Sequence, residues 1–222
     1  MRFFILTAVG LMSGALVFTQ NQPHGEVRMD DAKQYRKYQD IYKAFNISKK
    51  FWLYGFSYHS PHTENKSCVF FKIESLSKEG KNYSSNFIKN KKSGKIEYTG
   101  TFLKTHTTNV PQDKKRQHNN SLLATLNNRS WPMLYTLSFA DYLGCAIFRV
   151  QNMTPGCMVL LSDNVTPNNM STNCTAFYKK ACGKDKIRQV PCANRSESIE
   201  LGSTSTHAYS ACAFCRSSTF LR

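Results

Sequence analysis

The 222-residue chain is poor in acid: Asp and Glu number 14 against 30 Lys and Arg, a formal net charge of +16. No two carboxylates stand in a catalytic pairing, and there is no nucleophile elbow, HExxH helix or phosphate-binding glycine loop. The 6 histidines are scattered. These absences leave no candidate catalytic centre and imply no cofactor and no metal, so the expectation is a binding protein. The positive charge comes without any nucleic-acid-binding motif. Past the first stretch of the chain no apolar run approaches the roughly 20 residues that span a bilayer, which argues against a membrane partner. No internal repeat is visible.

What is present starts with MRFFILTAVGLMSGALVFT, a positive charge followed by an apolar core that small residues interrupt near Ser13–Ala15. That pattern predicts a secretory signal over residues 1–19, cut between Ala15 and Gln22. Without Arg2 the charge is 16 − 1 = +15. The 8 cysteines predict disulfides in an oxidising compartment, although spacing does not choose among about a hundred connectivities. Asn-x-Ser/Thr sequons at Asn46, Asn65, Asn82, Asn119, Asn128, Asn152, Asn164, Asn169 and Asn194, with a further one at Asn173 that contains Cys174, predict a glycosylated exterior. The expected organisation is a secreted, extracellular domain over 20–192 and a Ser/Thr-rich tail over 193–222. In that tail Cys212 and Cys215 read as a local disulfide, with an intermolecular bridge, a redox pair or a zinc site as alternatives. Lysine-rich stretches at Lys89–Lys92 and Lys114–Arg116 suit a solvated surface, a heparan-type polyanion or an acidic partner protein.

Periodicity divides the domain. Over 30–45, Tyr35, Tyr38, Ile41, Tyr42 and Phe45 recur every three or four residues, which predicts a helix. The period then drops to two, and eight strands are expected at 52–58, 68–75, 83–89, 95–105, 121–126, 133–140, 145–150 and 157–161. A short helix over 174–182, closed by Gly183, and an extended segment at 186–192 follow. Helix, eight sequential strands and helix fit an all-β, closed antiparallel barrel, because closure removes the edges of such a meander. A β-sandwich with a filled core fits the same strand count.

From about Asp30 to Cys192 the residues resemble the salivary lipocalins of ticks, which include the histamine-binding proteins. The resemblance is carried by DIYKAF, FWLYGFSY, CVFFKI, YTLSFADYLGCAIFRV, the half-cystine at Cys157 and CTAFYKKACG with a later Cys. Lys50 stands where the general lipocalin Gly-x-Trp signature has Gly. The resemblance implies an eight-stranded lipocalin barrel with an N-terminal helix and a C-terminal flanking helix. It implies bridges Cys68–Cys192, Cys145–Cys174 and Cys157–Cys182. It also implies a secreted protein that sequesters host mediators of inflammation or haemostasis: a biogenic amine, an eicosanoid or fatty acid, or a host plasma protein bound through loops at 89–95 and 111–118.

The amine binders of that family carry one acid after the half-cystine of the seventh strand and a second at the start of the eighth. Here those positions are Ala146 and Met158. A buried ammonium without a carboxylate is expensive, so the expected ligand is an amphipathic molecule such as a fatty acid or eicosanoid rather than an amine. Alternation assigns Trp52, Tyr54, Phe56 and Tyr58 to the ligand-facing side, with Phe71, Tyr98, Phe102, Ala146, Phe148 and Met158. Arg149 is expected outside, and Arg129 and His59 near a mouth, as candidate partners for a lipid carboxylate. Glu97, if the register of the fourth strand slips by one, or Glu64, in the loop after Tyr58, would supply an acid for a weaker amine site.

Overall fold

The computed structural model describes residues 27–30, 32–59, 65–105, 116–126, 129–150, 156–165, 170–183 and 187–192, with the side chains at 27, 28 and 129–131 undescribed. The expected signal, the tail with Cys212 and Cys215, Glu64, Lys114, Lys115 and the sequons at Asn128, Asn152, Asn169 and Asn194 lie outside them, as does the side chain of Arg129.

Eight strands run in chain order around a closed antiparallel barrel: β1 (Lys50–Phe56), β2 (Ser67–Leu76), β3 (Gly80–Lys89), β4 (Lys92–Leu103), β5 (Ser121–Leu126), β6 (Arg129–Ala140), β7 (Cys145–Val150) and β8 (Gly156–Ser162). Each pairs with the next, and β1 pairs with both β8 and β2. The β1–β2 seam holds only over Lys50–Trp52, against Lys72–Phe70. Beyond it the strands part, and β9 (Arg188–Gln189) takes the edge of β1 at Gly55 and Phe56. Val190 N–H donates to Tyr54 O (3.0 Å), Cys68 N–H to Pro191 O (2.9 Å), and the Cys68–Cys192 disulfide fixes the junction. A β-carbon at Gly55 would stand 2.7 Å from Arg188 O. Gly55→Val is therefore expected to expel β9 and cost about 1–3 kcal/mol; urea unfolding, with hydrogen exchange at 187–190, measures both effects.

Segment 30–45 is not one helix. Two 3-10 turns (Val27–Asp30, Lys33–Tyr38) precede the short helix α1 (Ile41–Asn46), which Asp40 caps by accepting from Lys43 N–H at 3.0 Å. The chain breaks at Gln39, whose buried side chain donates to Met29 O (2.8 Å) and Ser138 O (3.0 Å). The three- and four-residue spacing is real, but its two halves serve different cores. Tyr35 and Tyr38 pack outside the barrel with Phe139 and Phe177. Ile41 and Phe45 enter it, Phe45 lying among Phe51, Phe102 and Phe148 from three strands and plugging that end.

Helix α2 (Thr172–Cys182) lies on the outer face of β6 and β7. Cys145–Cys174 and Cys157–Cys182 tie its two ends to β7 and β8, and each such bridge contributes about 2–4 kcal/mol. With α2 and the 27–39 segment covering them, β7 and β8 are buried on both faces, which explains their unbroken apolar runs. Arg149 points outward, as its register requires, yet is only 4% exposed. Its Nε donates to Asp30 Oδ2 (2.7 Å) and its Nη2 to Ala181 O (2.7 Å). Arg116, read from sequence as part of a basic surface loop, is buried too and donates to Gln39 Oε1 at 2.9 Å and to Asp30 O.

Candidate functional site

Inside the barrel, alternation places Ala146, Phe148 and Val150 of β7, Met158 and Leu160 of β8, and Tyr98 and Phe102 of β4 in one apolar cluster. Glu97 faces away; it is exposed and paired with Lys95 at 2.8 Å. The first strand departs from the expected alternation. Between Leu53 and Gly55 the register against β8 slips by one residue, a bulge that reverses every side chain beyond it. Phe51 and Leu53 therefore point inward together with Phe56 and Tyr58. Trp52 lies outside, against Phe70, where its indole N–H donates to Asp163 Oδ1 at 2.7 Å. Tyr54 also lies outside, accepting from Gln189 Nε2 at 2.7 Å.

The interior encloses a cavity of about 40 Å³, room for about three waters. Of the residues expected at the ligand, Phe71, Tyr98, Phe148 and Met158 border it; Phe56, Tyr58, Phe102 and Ala146 share its cluster without bordering it. Phe45, Leu122 and Leu160 complete the apolar wall. A ligand of drug-like size needs about 300–1,000 Å³, so its entry requires half-buried rings such as Phe71, Tyr98 and Tyr135 to turn. A broader groove of about 570 Å³ lies outside the barrel, between the end of α1 and β2, with Lys49, Glu74 and Ser75 in its wall. Its polarity does not suit a lipid.

Besides that apolar wall, the polar bordering residues Lys81, Tyr83 and Tyr135 were not expected at the ligand. Lys81 is 5% exposed. Its Nζ lies 3.2 Å from the centroid of the Phe45 ring and 4.3 Å from that of Tyr83. No described residue offers it an ion pair or hydrogen bond, and no carboxylate borders the cavity. Burial pulls its pKa well below the usual lysine value. The signal lay in the sequence KNYSS. Strand β3 starts at Gly80, so Lys81, Tyr83 and Ser85 fall on one face at period two, all three buried.

The polar side of this interior is rich in donors. Tyr58, Tyr83, Tyr98 and Tyr135 lie near enough to raise one another's pKa, although burial is the larger cause for each that feels a neighbour. The Tyr98 hydroxyl is raised by burial alone. Their hydrogen-bond partners are weak: Tyr58 reaches Met158 sulfur at 3.8 Å and Tyr135 reaches Met133 sulfur at 3.4 Å. One ammonium and four phenols with no strong acceptor suit a ligand that brings oxygens and negative charge.

Elsewhere, no group of three or more His, Cys, Asp or Glu able to hold a metal occurs among the described residues, and none of their helices is long and apolar enough to cross a membrane. Asn46, Asn65, Asn82, Asn164 and Asn173 are exposed; Asn119 is half-buried, donating to Lys78 O at 3.2 Å.

Among solved structures the chain is similar to AM182, determined in complex with serotonin (TM-score 0.51, 13% identity, 68% of this chain and 88% of that one). It is also similar to japanin from Rhipicephalus appendiculatus, determined with cholesterol (TM-score 0.46, 10% identity, 67% and 96%). A third is insecticyanin from the tobacco hornworm Manduca sexta (TM-score 0.49, 10% identity, 67% and 80%). No curated protein sequence matches. At these identities the likeness to AM182 speaks for the fold, a lipocalin barrel. The family model for tick histamine binding protein matches residues 29–191, which contain all eight barrel strands and five of the six bridged cysteines, and the chain belongs to that family of ligand-binding lipocalins.

Proposed function

We propose that this protein is a secreted lipocalin that sequesters a small amphipathic molecule with an acidic head, a fatty acid or an eicosanoid, from host inflammatory or haemostatic signalling. The observation that carries the reading is Lys81, a buried amine in a cavity that no acid borders. A carboxylate there restores the ammonium's lost solvation, while the aromatic and aliphatic wall takes the chain. The serotonin bound by AM182 would favour an amine, but Ala146 and Met158 supply no carboxylate, and Lys81 repels a second ammonium. Secretion is supported by the leader pattern and by three disulfides, which suit an oxidising compartment.

Calorimetric titration of the secreted protein tests the reading. Arachidonate is expected to bind with one-to-one stoichiometry and histamine to give no heat. Histamine binding without arachidonate binding would overturn the assignment. Silence toward both would move the function to the exposed lysine loop at 89–95 and a macromolecular partner.

A further inference from the structure

Lys81 sits at the end of the barrel that α1 plugs, beside Gly100 of the neighbouring strand and beneath the Phe45 ring. A linear ligand entering from the far end meets the amine with its leading group. The amine has no ion-pair partner among the described residues, and its nearest neighbours are π faces. Nothing there fixes it as an ammonium. We infer that Lys81 is also a covalent capture site, whose amine condenses with the carbonyl of an amphipathic aldehyde to hold it as an imine. The inference rests on the barrel being the ligand cavity, as proposed above, and adds a second ligand chemistry at the same atom.

The step balances without a co-reactant. The nitrogen lone pair forms the C–N bond, the carbonyl π pair moves to oxygen, and that oxygen takes one proton from nitrogen to give the carbinolamine. The C–O bond then breaks, the second N–H proton leaves with the hydroxyl as water, and C=N forms; nothing is oxidised or reduced. Three features favour this chemistry here. The depressed pKa of Lys81 increases the nucleophilic neutral amine. The Tyr83 and Tyr98 hydroxyls border the same cavity and have no acceptor among the described residues, so they are free to donate to the oxygen that develops charge. The aromatic and aliphatic part of the wall takes the aldehyde's chain and so displaces water from beside the imine.

Reductive trapping tests it. The full-length secreted protein is incubated with decanal and sodium cyanoborohydride near neutral pH, and labelled lysines are mapped by peptide mass spectrometry. Lys81 is expected to label roughly tenfold or more faster than exposed Lys72 and Lys104, since each unit of lowered pKa multiplies the neutral fraction about tenfold. Acetaldehyde, too short to gain from the apolar wall, is expected to favour Lys81 less than decanal does. Labelling of Lys81 no faster than of the exposed lysines, by decanal, overturns the inference. Arachidonate binding measured on the same preparation separates the two readings. Tight arachidonate binding with Lys81 unlabelled removes covalent capture and leaves the non-covalent scavenger. Fast labelling with no arachidonate binding supports capture and removes the acidic-head reading.

Discussion

Lys81→Met is expected to weaken arachidonate binding by about 10–100-fold, the 1.5–3 kcal/mol typical of a hydrogen bond to a charged group, while making the unliganded barrel more stable. The two effects have one cause. In the empty cavity the amine has lost most of its exposure to water, and its nearest neighbours are ring faces. A desolvated cation–π contact is worth about 2 kcal/mol, less than the several kcal/mol an unpaired buried ion costs. Methionine fills the same stem volume without that cost, and about 1–3 kcal/mol of stabilisation follows, roughly 2–4 °C per kcal/mol in a domain of this size.

The pH dependence has a definite sign. Lys81 in the folded chain has a pKa below its unfolded value, so between the two values the unfolded chain binds more protons. Stability of the unliganded protein then rises with pH across that window and falls as pH drops toward the folded value. The groups facing Lys81 are Tyr83, Tyr98 and Tyr135, all held above the ordinary tyrosine pKa and uncharged throughout. Thermal melts of the native chain and of Lys81→Met should differ in that slope. Arachidonate binding should take up a proton in the native chain, visible as a calorimetric enthalpy that varies with buffer ionisation heat. An unchanged affinity in Lys81→Met would exclude Lys81 as the carboxylate's partner.

Asp30→Ala is expected to destabilise the fold by about 3–5 kcal/mol, the cost of stranding a buried charge. Asp30 and Arg149 are each 5% exposed at their side chains and 2.7 Å apart. Asp30 also accepts from the Ser138 hydroxyl at 2.6 Å and, through its main-chain oxygen, from Arg116. Arg116 and Gln39 continue the network to Met29 and Ser138, and Arg149 continues it to the end of α2. Removing this carboxylate takes from the buried Arg149 guanidinium its 2.7 Å ion-pair partner. The double change Asp30→Leu with Arg149→Met should cost less than the sum of the single changes, because both members of the Asp30–Arg149 pair leave together. Urea unfolding of the three variants measures the coupling; a single-variant cost below about 1 kcal/mol would show the pair to be a solvated contact of the surface kind.

How far the sequence led depends on which physical signal each element left. Strand β7 was legible to the residue and β8 to within one residue at each end, because half-cystines at Cys145 and Cys157 fix their outer face and the alternation runs on through both. In β1 the same alternation misled: a bulge adds one residue and leaves no trace in composition, so Trp52 and Tyr54 were assigned inward while Phe51 and Leu53 took those places. Lys81 was missed because a lysine two residues before an aromatic reads as the solvated approach to a strand. Only the strand's true start at Gly80 turns it inward. Arg149 was read as outward, which is correct, but burial of that outer face depends on the 27–39 segment and α2, contacts between distant parts of the chain that no local pattern announces. Likewise the helical spacing over 30–45 was genuine, but Gln39 and Asp40 satisfy the backbone there in a way that breaks the helix.

The seam at β1 bears on how the chain assembles over time. Its first strand finds most of its pairing with β8, about a hundred positions later; on its other edge it meets β2 only over Lys50–Trp52 and is covered at Gly55 and Phe56 by Arg188–Gln189. The bridge that seals this junction joins cysteines 124 residues apart. During synthesis β2 to β7 can pair successively as they emerge, each with a neighbour just made. Beyond the short stretch that β2 can take, the opening strand must wait, its edges unprotected, until the end of the domain is available. Ring closure is therefore a late event in this molecule, dominated by long-range contacts of the kind that slow folding, and an oxidising compartment that forms Cys68–Cys192 promptly shortens the interval in which two such half-built barrels can pair with each other.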